Sequence, residues 1–354
     1  MPMPQITSEY LMKRIRGLNL GGWLVLEKWM TPELFESYHA EDEYNLLKVV
    51  KNPHEMLKNH RDTFITETDF LWIENHGIDT VRLPVGHWLF KADYPYFTAK
   101  EYVDKAFLWA EKYGLNVVLD VHAAKGCQNG FDNGGLSGIM EWHKNPKNIN
   151  DTVDFIGELC DYYGNEKSLS GIQLLNEPHI TIDMGIIQDF YKKGYKIIRE
   201  KLGSDISVIF HDAFRLDQWE DFFTNNRFTN VYLDTHMYQV FGEISREADI
   251  FNLTNFVIEK RMKVIREIRQ LVPLIVGEWS VGISSNTISQ AKDDLQYDAY
   301  HRLLANVLLL AFEEADGWFF WSYKLSDQSV NKHPGWSFKM MVESEVLPFK
   351  KKGS

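Results

Sequence analysis

Eight short runs rich in Val, Ile and Leu recur along the chain: 15–20 (IRGLNL), 79–83 (DTVRL), 116–122 (NVVLDVH), 171–177 (GIQLLNE), 206–212 (ISVIFHD), 230–236 (NVYLDTH), 273–279 (PLIVGEW) and 317–322 (GWFFWS). Strands this continuously apolar are buried on both faces, which requires a parallel sheet covered by helices. Segments of helical period over 61–75, 99–113, 152–163, 186–202, 253–270 and 295–314 supply that cover. Eight strand and helix units in 354 residues, with no Gly/Ser/Pro-rich linker between halves, predict an α/β fold: one (β/α)8 TIM barrel rather than an open sheet. The expected domain is 1–354, with 1–14 as an N-terminal extension and 345–354 as a solvated tail. Two places depart from the pattern. Residues 21–60 read as an elaborated first loop on the rim, and the stretch between Asp212 and Asn230 looks short of helix.

The residues at the C-terminal ends of these runs carry the functional signal. They are Asn19, Arg82, His122, Asn176 with Glu177, His211 with Asp212, His236 with Tyr238, Glu278 and Trp321. A parallel barrel gathers these ends on one face, where barrel enzymes keep their active sites. Any one of them reads as a cap or turn residue; eight together predict a pocket. Glu177 and Glu278 then face each other across it, and paired carboxylates suit glycosidic hydrolysis, one protonating the departing oxygen while the other attacks or activates water. On this reading Asn176 and Glu177 follow their apolar run because that run is a barrel strand aimed at the site, and Pro178 ends the strand by removing a ladder donor. The competing use of such residues is metal binding. The histidines come singly from different strands, without His-x-His or His-Glu-x-x-His spacing, so no metal site is predicted.

Charge and composition narrow the partners. A formal net charge of −12 argues against a basic surface for nucleic acid or anionic lipid. The 11 Trp and 16 Tyr suit a surface that stacks on sugars, although most such rings fill cores. Cys127 and Cys160 match no metal or disulfide framework and are expected to be free thiols. The first residues lack the apolar stretch of a signal peptide and no later run reaches membrane-spanning length, which predicts a cytoplasmic protein unless a leader has been removed. Oligomeric state is left open.

Several motifs resemble those of glycoside hydrolase family 5. LLNEPH (174–179) looks like the family's Asn-Glu-Pro signature on strand four, and IVGEWS (275–280) like its strand-seven nucleophile segment. RGLNLGGWLVLEKWMTPELFE (16–36), VRLPVGHW (81–88), LDVHAAKGCQNGFDNGG (119–135) and DTHMYQVF (234–241) are similar to the exo-β-1,3-glucanase branch. The resemblance implies a cofactor-independent retaining enzyme that releases glucose from the non-reducing end of β-glucans or β-glucosides. An endo-acting β-1,4-glucanase of the same family and a non-catalytic sugar-binding barrel are the alternatives, and the presence of both carboxylates speaks against the second. Carried over, it makes Glu177 the general acid/base, Glu278 the nucleophile and Asn176 the holder of the sugar 2-hydroxyl. Arg82 and Tyr238 would donate to Glu278 and keep it ionised; His236 would lie near Glu177. Glu27 and His122 would bind hydroxyls of the terminal sugar above a Trp321 platform. Asp132 would block the non-reducing side, and Phe131 and Phe241 would clamp the entrance. The chain lacks the secretion signal and Cys framework of secreted fungal relatives, which implies an intracellular enzyme acting on oligosaccharides or glucosides.

Overall fold

A computed structural model describes residues 14–242 and 248–352. Its strands are β1 (Ile15–Asn19), β2 (Thr80–Gly86), β3 (Asn116–Ala123), β4 (Leu169–Gln173), β5 (Ser207–His211), β6 (Val231–His236), β7 (Leu274–Trp279) and β8 (Gly317–Phe320). All pair in parallel in chain order, and β8 returns to β1 to close a (β/α)8 barrel. Each apolar run is therefore a strand.

Strand four departs from the sequence reading. Regular pairing ends at Gln173, before Glu177 is reached. Beyond it the Leu174 N–H still donates to Ile209 on β5 (3.1 Å), whereas the Asn176 N–H donates to Val121 on β3 (2.9 Å). In a regular strand these two groups face the same neighbour, so the chain rotates between them. Glu177 completes the rotation with φ +43°, a left-handed conformation uncommon outside glycine. Pro178 thus follows a strand that has already ended.

The helical cover also differs in detail. Residues 61–75 are not one helix: Pro53–Phe64 and Glu67–Asn75 are divided at Thr66, which caps the second through a reciprocal box with Asp69. The first loop is partly helical, containing Glu43–Val49 and most of Pro53–Phe64 around a small core of Leu26, Phe35, Leu46 and Trp88. Between Asp212 and Asn230 stand only the 3-10 turn Leu216–Gln218 and the helix Glu220–Asn225. The tail becomes solvated later than expected. Val346 and Leu347 are buried and Phe349 packs on Trp318 and Phe338, leaving Lys350 to Lys352 exposed. Of the N-terminal extension, residues 1–13 lie outside the described residues. Among the described residues no helix is long and apolar enough to cross a membrane, and both cysteines are free and buried.

Inside the barrel the inward side chains form two storeys. The lower is apolar: Val118, Ile209, Ile275 and Phe319, with Ile15 and Tyr232 beside them. Phe319 lies flat on Gly17, where a Cβ would come within 2.1 Å of its ring. Above them stand Asn19, Arg82, Asp120, Gln173 and Asp234, all polar and all fully buried; on β3 and β6 the two levels are two residues apart, Val118 below Asp120 and Tyr232 below Asp234. Gly277 makes room for the last of these, because a Cβ there would sit 2.1 Å from Asp234 Oδ1.

Candidate active site

The upper storey is organised by Arg82. Its Nε donates to Gln173 (2.7 Å), its Nη1 to Asn19 (2.7 Å) and Glu278 Oε1 (3.1 Å), and its Nη2 to Asn176 (2.8 Å), with Asp120 Oδ2 3.1 Å from Nη2. A planar fork with five fixed donors can satisfy this ring of acceptors; a lysine ammonium could not. Gln173 passes the network on to Asp234 Oδ2 (2.8 Å), whose other oxygen accepts the Gly277 N–H (2.7 Å).

Glu278, the penultimate residue of β7, accepts from Arg82 on one oxygen and from the Tyr238 hydroxyl (2.7 Å) on the other. These donors do not hold its pKa low. Burial raises it first, the His236 charge pulls it down, and the neighbouring Glu177 raises it again, so the carboxyl titrates above its ordinary range. Glu177 shows the reverse balance. Burial pushes its pKa up, yet the hydrogen bond and charge of His236 draw it down to about 2. His236 Nδ1 lies 2.6 Å from Glu177 Oε1 and its Nε2 3.3 Å from Asp234 Oδ2. Burial disfavours the imidazolium, but Glu278, Asp234 and Glu177 outweigh it and raise the His236 pKa well above the usual value. Both shifts favour the ion pair, an ionised Glu177 beside a charged His236.

The same imidazole measures the gap between the two glutamates. His236 Nδ1 is 2.6 Å from Glu177 Oε1 and 3.4 Å from Glu278 Oε2, so those two oxygens are at most the sum of these distances apart, about 6 Å.

On the opposite wall His122 pairs through Nδ1 with Asp120 (2.5 Å) and lies parallel to Trp321, with ring centroids 5.4 Å apart. Asn176 Nδ2 stands 3.5 Å from His122 Nε2. Gln128 ties these segments together by donating to the carbonyls of both His122 (2.7 Å) and Asn176 (2.8 Å). Trp321 is buried against Gly21, where a Cβ would stand 2.7 Å from the indole. Glu27 accepts from Trp29 Nε1 (2.8 Å), and burial followed by the charge of Asp132 raises its pKa well above the carboxylate range.

These groups surround a cavity of about 1050 Å³ whose walls include Glu27, Glu177, Tyr238, Glu278 and Trp321, with the exposed rings of Phe131 and Phe241 at the rim. Arg82, His122, Asn176 and His236 are buried. Asp132 instead lines an adjoining cleft of about 540 Å³, with Phe131 and Trp29 forming walls of both spaces.

Sequence reasoning missed several members. Asn133 Nδ2 donates to Glu177 Oε2 (2.9 Å) and leaves no strand-end signal, because it comes from the loop after β3. Asp120 and Asp234 each precede a site histidine by two residues, and that spacing could have exposed them, since period two puts both side chains on one face. The strand ends also hold a possible metal grouping that no sequence spacing reveals. Glu177, His211 and His236 come from the ends of three strands, and their ligand atoms lie within 4.8 Å of one another. An ion there would compete with the proton bridging Glu177 and His236.

Comparison with known proteins places the chain in a family. Residues 46–327 match the family model described as cellulase, glycosyl hydrolase family 5. A protein named glucan 1,3-beta-glucosidase 2 from Wickerhamomyces anomalus is 34% identical, the match covering 96% of this chain and 89% of the relative. A glucan 1,3-beta-glucosidase of Schwanniomyces occidentalis is 31% identical over the same shares. Among solved structures, a rutinosidase from Aspergillus niger superposes with a TM-score of 0.77 at 19% identity, covering 94% of this chain and 97% of its own. The endoglucanase Cel5A of Thermotoga maritima gives 0.57 at 16%, covering 93% and 96%. At such identities these two speak for the fold alone. By the family model and the sequence relatives, this chain belongs to glycosyl hydrolase family 5.

Proposed function

We propose that the protein is a retaining, exo-acting β-glucosidase of the glucan 1,3-β-glucosidase type, with Glu278 as nucleophile and Glu177 as general acid/base. The observation that carries the reading is the gap of at most about 6 Å between their facing oxygens. Retaining pairs stand roughly 5–5.5 Å apart, whereas inversion needs about 6.5–9.5 Å to admit a water. Glu278, between Arg82 and Tyr238, attacks the anomeric carbon. Glu177 must be protonated to release the leaving group, and His236 holds that proton 2.6 Å away. Its transfer to Glu177 changes no net charge, and it must precede or accompany the attack of Glu278, after which Glu177 is left ionised to act as base on water. Asn176, His122 and Glu27 supply hydroxyl contacts over the Trp321 face. Glu27, with Asp132 behind it, closes the end where a further glucosyl unit would lie. Substrates are β-glucan oligosaccharides or β-glucosides, and the names of the sequence relatives support the β-1,3 linkage. Time-resolved product analysis on laminarihexaose tests the proposal. β-Glucose should appear first, with laminaripentaose. Early di- and trisaccharides would mean an open cleft, and α-glucose as the first product would mean inversion.

A further inference from the structure

The contacts around His122 fix which of its ring nitrogens carries a proton. Asp120 Oδ2 lies 2.5 Å from His122 Nδ1 and 3.1 Å from Arg82 Nη2. A carboxylate paired with a guanidinium offers only acceptors, so the proton between Asp120 and His122 belongs to Nδ1. A second determinant acts from the other side. Arg82 Nη2 also donates to Asn176 Oδ1 (2.8 Å), which turns that amide so that its NH2 faces His122 Nε2 at 3.5 Å. An N–H on Nε2 would meet this donor head-on, so Nε2 is the bare nitrogen. Nη2 has two hydrogens, one for each of these partners. The ring has little freedom to escape the arrangement: it lies 7° from parallel to Trp321, and Gln128 ties the His122 and Asn176 carbonyls together. Asp120, His122 and Asn176 are all buried.

Resting on the glucosidase reading above, we propose that Asp120 is a positioning residue for specificity: by holding the proton of His122 on Nδ1 it makes Nε2 an acceptor, so that the sugar must present a hydroxyl that donates. Asn176 meets the 2-hydroxyl on that reading, and carbon 1 carries the scissile oxygen. The neighbouring hydroxyl left for His122 is the one on carbon 3. A glucosyl unit inside a β-1,3 chain has this oxygen glycosylated and has no proton to give, whereas the unit at the non-reducing end does. The site therefore selects chain ends by the polarity of one hydrogen bond, in addition to the closure of the pocket at Glu27. A buried acceptor left without its donor carries the full desolvation cost, which is what turns polarity into discrimination.

Inhibition of laminaribiose hydrolysis by phenyl 1-thio-β-glucoside and its 3-deoxy and 3-deoxy-3-fluoro analogues tests this, because fluorine accepts a hydrogen bond weakly and donates none. For the native protein both analogues should bind about tenfold or more weakly than the parent, and the fluoro compound no more tightly than the deoxy one. In Asp120→Ala the imidazole is free to turn or to change tautomer, and the advantage of the parent over the fluoro analogue should shrink several-fold; a ratio of inhibition constants within one protein is insensitive to the fraction folded. The ¹⁵N spectrum of the native His122 ring, identified by the signals missing in His122→Gln, should show the proton on Nδ1, a readout that stands even if Asp120→Ala does not fold. A fluoro analogue that binds more tightly than the deoxy one, a proton on Nε2, or an Asp120→Ala variant that weakens all three inhibitors equally overturns the role of Asp120 and leaves the glucosidase reading standing. If laminaribiose and every other β-glucoside go unhydrolysed, the glucosidase reading falls, and selection of chain ends falls with it.

Discussion

The two storeys of the barrel lie one above the other and are held together by opposite means. In the lower, Val118, Ile209, Ile275 and Phe319 pack on one another; its stability comes from burial and shape. In the upper, Arg82, Asp120, Gln173, Asp234 and Asn19 are equally dry, and every one is committed to polar neighbours. Buried charges of this kind add little net stability, because desolvation offsets the attraction between them. What they supply is a fixed orientation for Glu278, Asn176 and His236. The lower storey therefore serves as the foundation and the upper as the positioning device, and substitutions should divide along that line.

The largest expected effect belongs to the upper end. Glu278→Ala should lower kcat/KM on the order of 10⁵-fold for every substrate, as removal of a nucleophile does. Unfolding should change little, since Arg82 keeps Asp120, Asn19, Gln173 and Asn176. Glu177→Ala should lose roughly 10²–10⁴-fold on laminaribiose, whose leaving group needs a proton, yet still form the glycosyl-enzyme with dinitrophenyl glucoside. Leaving-group dependence of the two variants is the measurement. If both respond alike, the assignment of acid and nucleophile fails.

The complementary substitution lies one storey down. Phe319→Ala should cost roughly 3–5 kcal/mol in urea unfolding, the usual range for emptying a buried phenylalanine site, while kcat of the folded fraction stays within about twofold. A collapse of kcat with unchanged unfolding would show that the lower storey positions the catalytic groups directly, and the division would break.

The storeys were unequally legible in the sequence. Lower-storey residues sit inside apolar runs, so finding the strands found them, and strand ends pointed to Glu177, Glu278, Arg82 and His236. Asp120 and Asp234 also lie within those runs, but a single sequence does not say which interior polar residue has a buried partner. Asn133 was invisible for a different reason: a loop has no period, and its approach to Glu177 depends on how the whole segment after β3 folds back. The division of 61–75 was readable in principle, since Thr66 and Asp69 have capping-box spacing. The helical period continues across that break and masked it.

The smallest effect, and the sharpest test of the contrast, is the dependence of stability on pH. Glu177 and Asp234 both have folded pKa values drawn down to about 2, the first by the His236 hydrogen bond and the second by the His236 charge, against burial. A depressed carboxylate contributes stability that is fully present above its unfolded value, near 4, and lost as pH falls through its folded value. His236, raised by Glu278 and Asp234, contributes stability that is present below about 6.5 and lost as pH rises through its folded value. The upper storey is therefore most stabilising between about pH 4.5 and 6.5. Glu278, raised by burial, acts in the opposite sense and softens the acid side. Between pH 4.5 and 2 each depressed group should add up to about 1.4 kcal/mol of destabilisation per pH unit. Urea unfolding at pH 5 and pH 3 measures this for the native chain, Phe319→Ala and Glu177→Gln. Phe319→Ala should be less stable at both values with the same loss on acidification, because nothing in the lower storey titrates there. Glu177→Gln should lose less on acidification than the native chain, having no carboxylate to protonate. Equal losses in all three would mean that the Glu177–His236 pair does not hold its proton as the geometry indicates, and that the acid sensitivity of the fold lies outside the upper storey.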